Sequence, residues 1–391
     1  MYDDYHDMEW LPDIPEGLEP LSPNAGGLGG PEDLVGRTME LDRLHEAVLA
    51  GGAHVTGERR MGKTWLVKKL QDDLEDTVTA IYVSAETNSL DLFSDRLLEK
   101  LRQNKLVGRR IDDWEAEVGG ELKLNVGVAG LTLTAKASKH AGMAPKQLDV
   151  LDLLSSQDRG PVVLIIDEIT HLCHALGQEG ATEFLSGLRS RRQSGGPPLV
   201  ISGSIGLHHA LSDMRPINDL WTVEVGPLET DDAVVLSARL LKGIGVEPTP
   251  LLVAQIVRET SAIPFYIQGV VDQMRYKPEL DVESIVTYCI THNTWQTDHY
   301  VTILKDYYGS EGEAYACAVL DIIALSHKPL DIDTINSTMT ARNPDLHLTR
   351  DEMLKLLDDL EKDHYLVREG DMDRISSPLL ARIWRHHRRF S

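Results

Sequence analysis

Cysteine is scarce in this chain of 391 residues: Cys173, Cys289 and Cys317 are odd in number and widely spaced. That usage fits reduced structural thiols better than a disulfide framework or a zinc ribbon. His171, Cys173 and His174 lie together, but a metal site needs further ligands, and the trio reads as solvated helix residues. Positive charge is also short. With 39 Lys plus Arg against 62 Asp plus Glu, the formal charge is -23. Phosphate affinity rests on Lys and Arg, so this balance argues against a general nucleic-acid coat or a binder of anionic membranes. No apolar run approaches membrane-spanning length and the N-terminus is acidic, so neither a transmembrane helix nor a signal peptide is expected. The expected location is the cytoplasm, with no membrane partner. An internal repeat is missing, and so is a second enzymatic constellation such as Ser-His-Asp, which leaves proteolysis and helicase action without support. The length and the 42% apolar fraction suit two or three domains with a substantial core.

What the chain does have is Gly57-Glu58-Arg59-Arg60-Met61-Gly62-Lys63-Thr64, a complete G-x-x-x-x-G-K-[ST] phosphate loop. The glycines let backbone N–H groups turn inward around a polyphosphate, Lys63 supplies a point charge for the β and γ phosphates, and the Thr64 hydroxyl can ligate Mg²⁺. The flanks suit it: Ala53-His54-Val55-Thr56 can end a buried strand, and Trp65 to Leu70 spaces apolar residues as a helix face does. The helix N-terminus adds its partial positive charge. About a hundred residues on, Pro161-Val162-Val163-Leu164-Ile165-Ile166-Asp167-Glu168 is an apolar run ending in two acids, the pattern of a buried parallel strand. Ligands of open α/β sheets sit at the carboxyl ends of strands, so Asp167 is expected beside the phosphate loop as a Mg²⁺ holder, with Glu168 the candidate base for an attacking water. Taken alone, the run could equally be a core strand capped by solvated acids.

Residues 1–33 carry many acids, several prolines and a Gly-rich stretch, with a few aromatics among them, and read as a flexible acidic tail or as a short peptide that docks on a partner. From 34 to 225, strand-like runs alternate with helical patterns, the sequence form of an α/β layered fold with a mainly parallel sheet. The candidate core strands are 53–56, 79–84, 162–167, 199–203 and 221–225. Alternation on either side of Ala129-Gly130 predicts a β-hairpin insertion near 121–136, serving as a structural flap or an assembly surface. Residues 226–299 read as a helical lid, with Ile263-Pro264 breaking a helical run. In 300–391, helices precede 365–368 and 374–376, which fit the strand pair of a winged helix.

Val35-Gly36-Arg37 with Glu40, the GERRMGKT loop, the VVLIIDE strand, the ISGS strand end and the SAIPFYIQ break together resemble a prokaryotic branch of the signal-transducing P-loop ATPases. This is the STAND group, allied to AAA+ proteins, and the resemblance is closest to the so-called archaeal ATPase family. It spans about residues 34–391. It implies an α/β P-loop NTPase core of the AAA+/STAND type, followed by a helical lid and a C-terminal winged-helix domain, with ATP and Mg²⁺ as cofactors. By position it places Gly36 and Arg37 near the adenine, with the loop residues 57 and 59–64 and the following Trp65 around the nucleotide. Ser202 or Ser204 takes the place of a sensor of the γ phosphate, and Pro264 that of the lid proline. Arg215 stands where relatives often carry a trans or sensor arginine. Two departures stand out: Ser261-Ala262-Ile263 precede the lid proline where relatives commonly have glycines, and the sensor lacks Asn, unlike an AAA+ unfoldase.

Read from the residues alone, Arg37 could be a surface charge and Ser202 with Ser204 could simply finish a strand. One of Arg59 and Arg60 is expected to pair structurally and the other to contact phosphate, with the sequence not choosing between them. Arg189, Arg191 and Arg192 are a solvated helix end or a rival arginine finger to Arg215. The function expected is an ATP-binding and ATP-hydrolysing switch that couples nucleotide state to self-assembly or to a protein partner; the resemblance suggests a prokaryotic stress or antiphage setting. The alternatives are a DNA-binding regulator or loader using Arg374, Arg382, Arg385, Arg388 and Arg389 of the winged helix, and a scaffold that binds ATP but hardly turns it over. Against the DNA alternative, those arginines could serve to neutralise an acidic body.

Overall fold

The computed structural model describes residues 10–390 apart from 26, 28–29, 75–77, 88, 119–121, 128–129, 136–146, 156–161, 204–205, 212 and 327. By its contacts the chain divides into two units. One holds Arg37–Gly57 with Lys63–Val225, and the other holds the N-terminal stretch to Gly36, Glu58–Gly62 and Gly226–Ser391.

The first unit is built on β1 (Gly52–Thr56), β2 (Thr79–Ser84), β3 (Leu122–Gly127), β4 (Gly130–Ala135), β5 (Gln147–Asp149), β6 (Val162–Asp167), β7 (Leu199–Ser202) and β8 (Trp221–Glu224). Five of these make one sheet in the order β2-β6-β7-β1-β8, and every pairing in it is parallel. All five stretches read as core strands are therefore in it. β6 and β7 are buried at every position, as runs of Val, Leu and Ile covered on both faces must be, whereas edge strand β8 buries only Val223 of its four residues. Parallel neighbours require crossovers, and the helices Lys63–Leu74, Leu90–Gln103 and Ile169–Gln193 supply them. β3 and β4 form an antiparallel hairpin with Leu124 opposite Leu133, and β5 adds a third strand. Leu122, Leu124, Leu131 and Leu133 are buried in the same apolar cluster as the sheet strand β6 and the helix carrying Phe93 and Leu97. The hairpin thus contributes to the core of this unit.

In the second unit, four helices follow one another: Thr230–Gly243, Pro250–Glu259, Pro264–Tyr276 and Val282–Thr291. The break before Pro264 has a local cause, because proline lacks the N–H and the residue before it avoids helical backbone: Ile263 sits at φ -83, ψ 119. The helix His299–Leu325 is broken at Gly309. Then come β9 (Leu330–Asp331), helices Ile332–Arg342 and Arg350–Lys362, the antiparallel pair β10 (Leu366–Glu369) and β11 (Met372–Ile375), and the helix Pro378–His387. The three strands are ordered β10-β11-β9.

Part of the acidic N-terminal stretch, read as a tail, lies on these helices. Leu21 N–H donates to the Arg239 carbonyl at 2.9 Å, Arg239 and Lys242 donate back to the carbonyls of Glu19 and Leu18, and Asn24 N–H reaches the Gln268 side chain. A Cβ at Gly243 would meet the Leu21 carbonyl at 2.0 Å, so the close approach needs glycine there. Residues 1–9 lie outside the described ones. No helix among the described residues is long and apolar enough to cross a membrane.

Candidate nucleotide site

The phosphate loop leaves the sheet at the end of β1. Gly57 is at φ 141, and a Cβ on it would meet the Val225 carbonyl oxygen at 2.2 Å; Gly62 is at φ 92 with open space beside it. The first glycine is thus required by packing and the second by backbone conformation. Lys63 opens the helix Lys63–Leu74, is buried, and donates from Nζ to the Gly57 carbonyl at 2.8 Å. Thr64 and Trp65 occupy the first turn and are half-buried. A helix N-terminus fed by a glycine loop collects unpaired N–H groups and partial positive charge, which suits an anionic phosphate.

Asp167 closes β6 and is buried. Its carboxylate is held from both sides: the Tyr82 hydroxyl donates to Oδ2 at 2.8 Å and the Ser202 hydroxyl donates to Oδ1, which also accepts the Glu168 N–H at 3.1 Å. The sheet order explains this. β2 and β7 are the two neighbours of β6, Ser84 stands beside Asp167 in register, and Ser202 ends the strand between β6 and β1. Asp167 therefore stands one strand away from the loop strand, with Ser202 in the intervening position. Burial first, and the Asp167 charge next, push the Tyr82 phenol well above its ordinary value, so it stays a donor. Glu168 follows at φ 56, half-buried, and opens the long helix Ile169–Gln193. A left-handed backbone at a bulky acid costs about 1 kcal/mol or more and aims its side chain out of the strand line.

The donor set fits Mg²⁺: a buried carboxylate held by hydroxyl donors, and a threonine hydroxyl in the loop helix, are hard oxygen ligands. Tyr82 was not among the residues singled out from sequence; the signal available was its place two residues before the end of a predicted core strand.

The remaining loop residues pack within the second unit. Arg60, at φ 76, donates from Nη1 to the Tyr266 hydroxyl at 2.8 Å and from Nη2 to the Trp295 and Gln296 carbonyls, with its guanidinium 4.4 Å above the Phe265 ring. Of the two loop arginines, then, Arg60 is the structurally bonded one and Arg59 is exposed. Phe265 and Tyr266 are the residues directly after Pro264, so the first turn of that helix meets the loop. Met61 is buried. Ser261 and Ala262, shortly before Pro264, sit at φ 52 and 54, backbone that glycine adopts freely. The Ser261 hydroxyl compensates in part by accepting the Leu379 N–H at 3.3 Å.

Gly36 is at φ 70, and a Cβ there would meet the Asp232 carboxylate. Arg37 is buried, at φ 68, with Nη1 on Glu40 at 2.8 Å, and is not a surface charge. Arg215 is exposed and pairs with Asp213. Arg192 donates from Nη2 to both carboxylate oxygens of Asp219, Arg191 reaches Asp149 and Asp152, and Arg189 lies 3.7 Å from Asp219. The basic run is thus committed to neighbouring acids. Ser204 lies outside the described residues.

Residues 49–211, which run from just before β1 to beyond β7 and include the loop, Asp167 and Ser202, match the family model described as an AAA domain. The chain carries an AAA domain. It is of the P-loop NTPase class, as its parallel sheet and loop require. No curated protein matches the sequence. Among solved structures, the Walker-type ATPase PABY2304 of Pyrococcus abyssi is similar over 90% of this chain and 97% of its own, at 18% identity and TM-score 0.64, a likeness of fold that extends well beyond the AAA domain. The ORC2 protein of Aeropyrum pernix is similar over 95% of this chain and 96% of its own, at 12% identity and TM-score 0.49, too distant to support an argument.

Proposed function

We propose that the chain is an ATP-binding and ATP-hydrolysing switch of the STAND type, in which Mg-ATP sets the state of the helical lid and winged-helix region, 226–299 and 300–391. The observation that carries this reading is the buried Asp167 carboxylate. Two hydroxyls orient it at the carboxyl end of a parallel sheet whose strand β1 feeds the Gly57–Thr64 loop. Carboxylates that ligate metals are themselves oriented by hydrogen bonds from outer groups, and the two hydroxyl donors fit that arrangement. In the reaction, the loop amides and Lys63 hold the phosphates, which requires Lys63 to leave the Gly57 carbonyl. Thr64 and Asp167 would hold the metal, which would supply charge neutralisation on the transferring phosphoryl group. Glu168 takes the proton of the attacking water. Arg37 and Gly36 line the base, and Pro264 starts the lid helix. Arg215, whose side chain is exposed, acts on a neighbouring copy, and self-assembly or a protein partner is the output.

Calorimetric titration with Mg-ATP tests this. Wild type is expected to bind, Lys63→Ala to lose binding, and Glu168→Gln to bind while turning over poorly; unchanged affinity in Lys63→Ala refutes the reading. Sizing the protein with an ATP analogue, with ADP and without nucleotide reads the output.

The DNA-binding alternative is weakened by where three of its five arginines go. Arg374 pairs with Glu369, Arg382 with Glu259, and Arg388 makes a two-point pair with Asp321. They neutralise the protein's own acids, and phosphate contact would require breaking those pairs. A duplex gel shift at low salt is expected to show no binding.

A further inference from the structure

The variable positions of a phosphate loop are asked only for their backbone N–H groups by the phosphates. Here two of them are wired into the helical region by a chain of hydrogen bonds that starts and ends on the loop. Arg60 Nη1 donates to the Tyr266 hydroxyl at 2.8 Å, the Tyr266 and Tyr300 hydroxyls are 3.2 Å apart, and Tyr300 donates to Glu58 Oε1 at 2.5 Å. The direction is fixed, because the Tyr300 proton is spent on the carboxylate and Tyr266 must donate to Tyr300. Glu58, Tyr266 and Tyr300 are all buried. Burial, with the Glu58 charge next for Tyr300, keeps both phenols protonated. Tyr300 is anchored in turn, its carbonyl accepting the Tyr365 hydroxyl at 2.7 Å, and the Tyr365 ring stands edge-on to Trp384 of the last helix.

Arg60 has a reason to need this hold. Its φ of 76 is left-handed, a conformation that an arginine leaves unless its surroundings impose it. The backbone N–H groups that must converge on phosphate belong to this segment, so the fraction of time Arg60 spends at positive φ is the fraction of time the loop is shaped to bind.

We infer that Tyr266 and Tyr300 are positioning residues of the phosphate loop, holding Glu58 and Arg60 so that the loop is preformed for a nucleoside triphosphate and its affinity is set by the C-terminal region. This rests on the proposed nucleotide site. Apparent affinity falls in proportion to the competent fraction, so a loop held only a tenth of the time binds tenfold more weakly.

The experiment is a calorimetric titration of the full chain with Mg-ATP, together with thermal unfolding, for wild type, Tyr266→Phe, Tyr300→Phe, Arg60→Gly and the Arg60→Gly/Tyr266→Phe double variant. Both Phe variants keep the ring and remove only the hydroxyl. Each is expected to raise the dissociation constant about tenfold or more while the protein stays folded. Glycine adopts positive φ without help, so Tyr266→Phe is expected to cost nothing further in the Arg60→Gly background. Phe variants that melt earlier but bind as wild type does would overturn the inference and leave the nucleotide site standing, as would equal losses from Tyr266→Phe in both backgrounds. Absence of binding by wild type itself would remove the proposed function and this inference with it.

Discussion

Replacing Ser202 by alanine removes a hydroxyl that is fully buried and donates to the Asp167 carboxylate. Hydrogen bonds to charged groups contribute about 1.5–3 kcal/mol each, and leaving a buried polar group without its partner costs about 1–3 kcal/mol. Ser202→Ala is therefore expected to destabilise the AAA domain by about 2 kcal/mol, because the carboxylate keeps Tyr82 but loses one of its two hydroxyl donors. Asp167→Ala strips the acceptor from both Ser202 and Tyr82 and is expected to cost about 3 kcal/mol or more. The double variant discriminates. Once the carboxylate is gone, the Ser202 hydroxyl has nothing to orient, so removing it adds little, and the coupling between the two positions is about 1.5–3 kcal/mol. Urea unfolding reads this directly: with a slope of roughly 2 kcal/mol/M, Ser202→Ala shifts the midpoint down by about 1 M. Additive effects, with coupling within about 0.5 kcal/mol, would refute the hydrogen-bonded arrangement of Asp167 and with it the reason for reading the residue as an oriented metal ligand.

Acid is expected to weaken the fold through two histidines. Burial lowers His54 from 6.5 to about 4, and it does the same to His299. The unfolded chain then binds more protons between those values, so stability is untouched above about pH 6.5 and falls by up to roughly 3 kcal/mol per histidine as pH drops to 4. Denaturant melts across that range are expected to show a flatter slope for His54→Gln; an unchanged slope refutes the assignment. Ala262→Gly relieves left-handed backbone at φ 54 and is expected to stabilise by up to about 1 kcal/mol in urea melts, whereas Ser261→Gly also loses the bond to Leu379 and is expected near zero. Gly57→Ala places a methyl 2.2 Å from the Val225 carbonyl and is expected to abolish nucleotide binding measured by calorimetry, even in protein that remains folded.

The parts of this molecule that sequence conveys are those written locally. The loop is one contiguous string, and β6 announces itself as an unbroken apolar run with acids at its end, so the central sheet and the pairing of Lys63 with Asp167 in one domain follow from short windows. Strand order does not. That β7 separates β1 from β6, and so puts Ser202 against Asp167, depends on pairings between segments far apart in the chain. The same holds for Arg60 and Glu58, whose partners lie 206 and 242 residues away. Their types alone allowed phosphate contact or structural pairing, and only the position of Tyr266 and Tyr300 separates these. Ser261 and Ala262 mislead in a different way: nothing in their side chains advertises left-handed backbone, which the surrounding helices impose.

The helix His299–Leu325 carries Tyr300 near one end and, near the other, Asp321, whose carboxylate holds both Trp384 and Arg388. Between them Gly309 stands at φ 67, ψ 176, backbone that is open essentially to glycine alone. The helix is thus a lever in two arms with a joint near its middle. One arm grips the phosphate loop and the other the end of the chain, so a shift at Glu58 is either absorbed as rotation at the joint or carried whole to the last helix. A side chain at position 309 would close the first route.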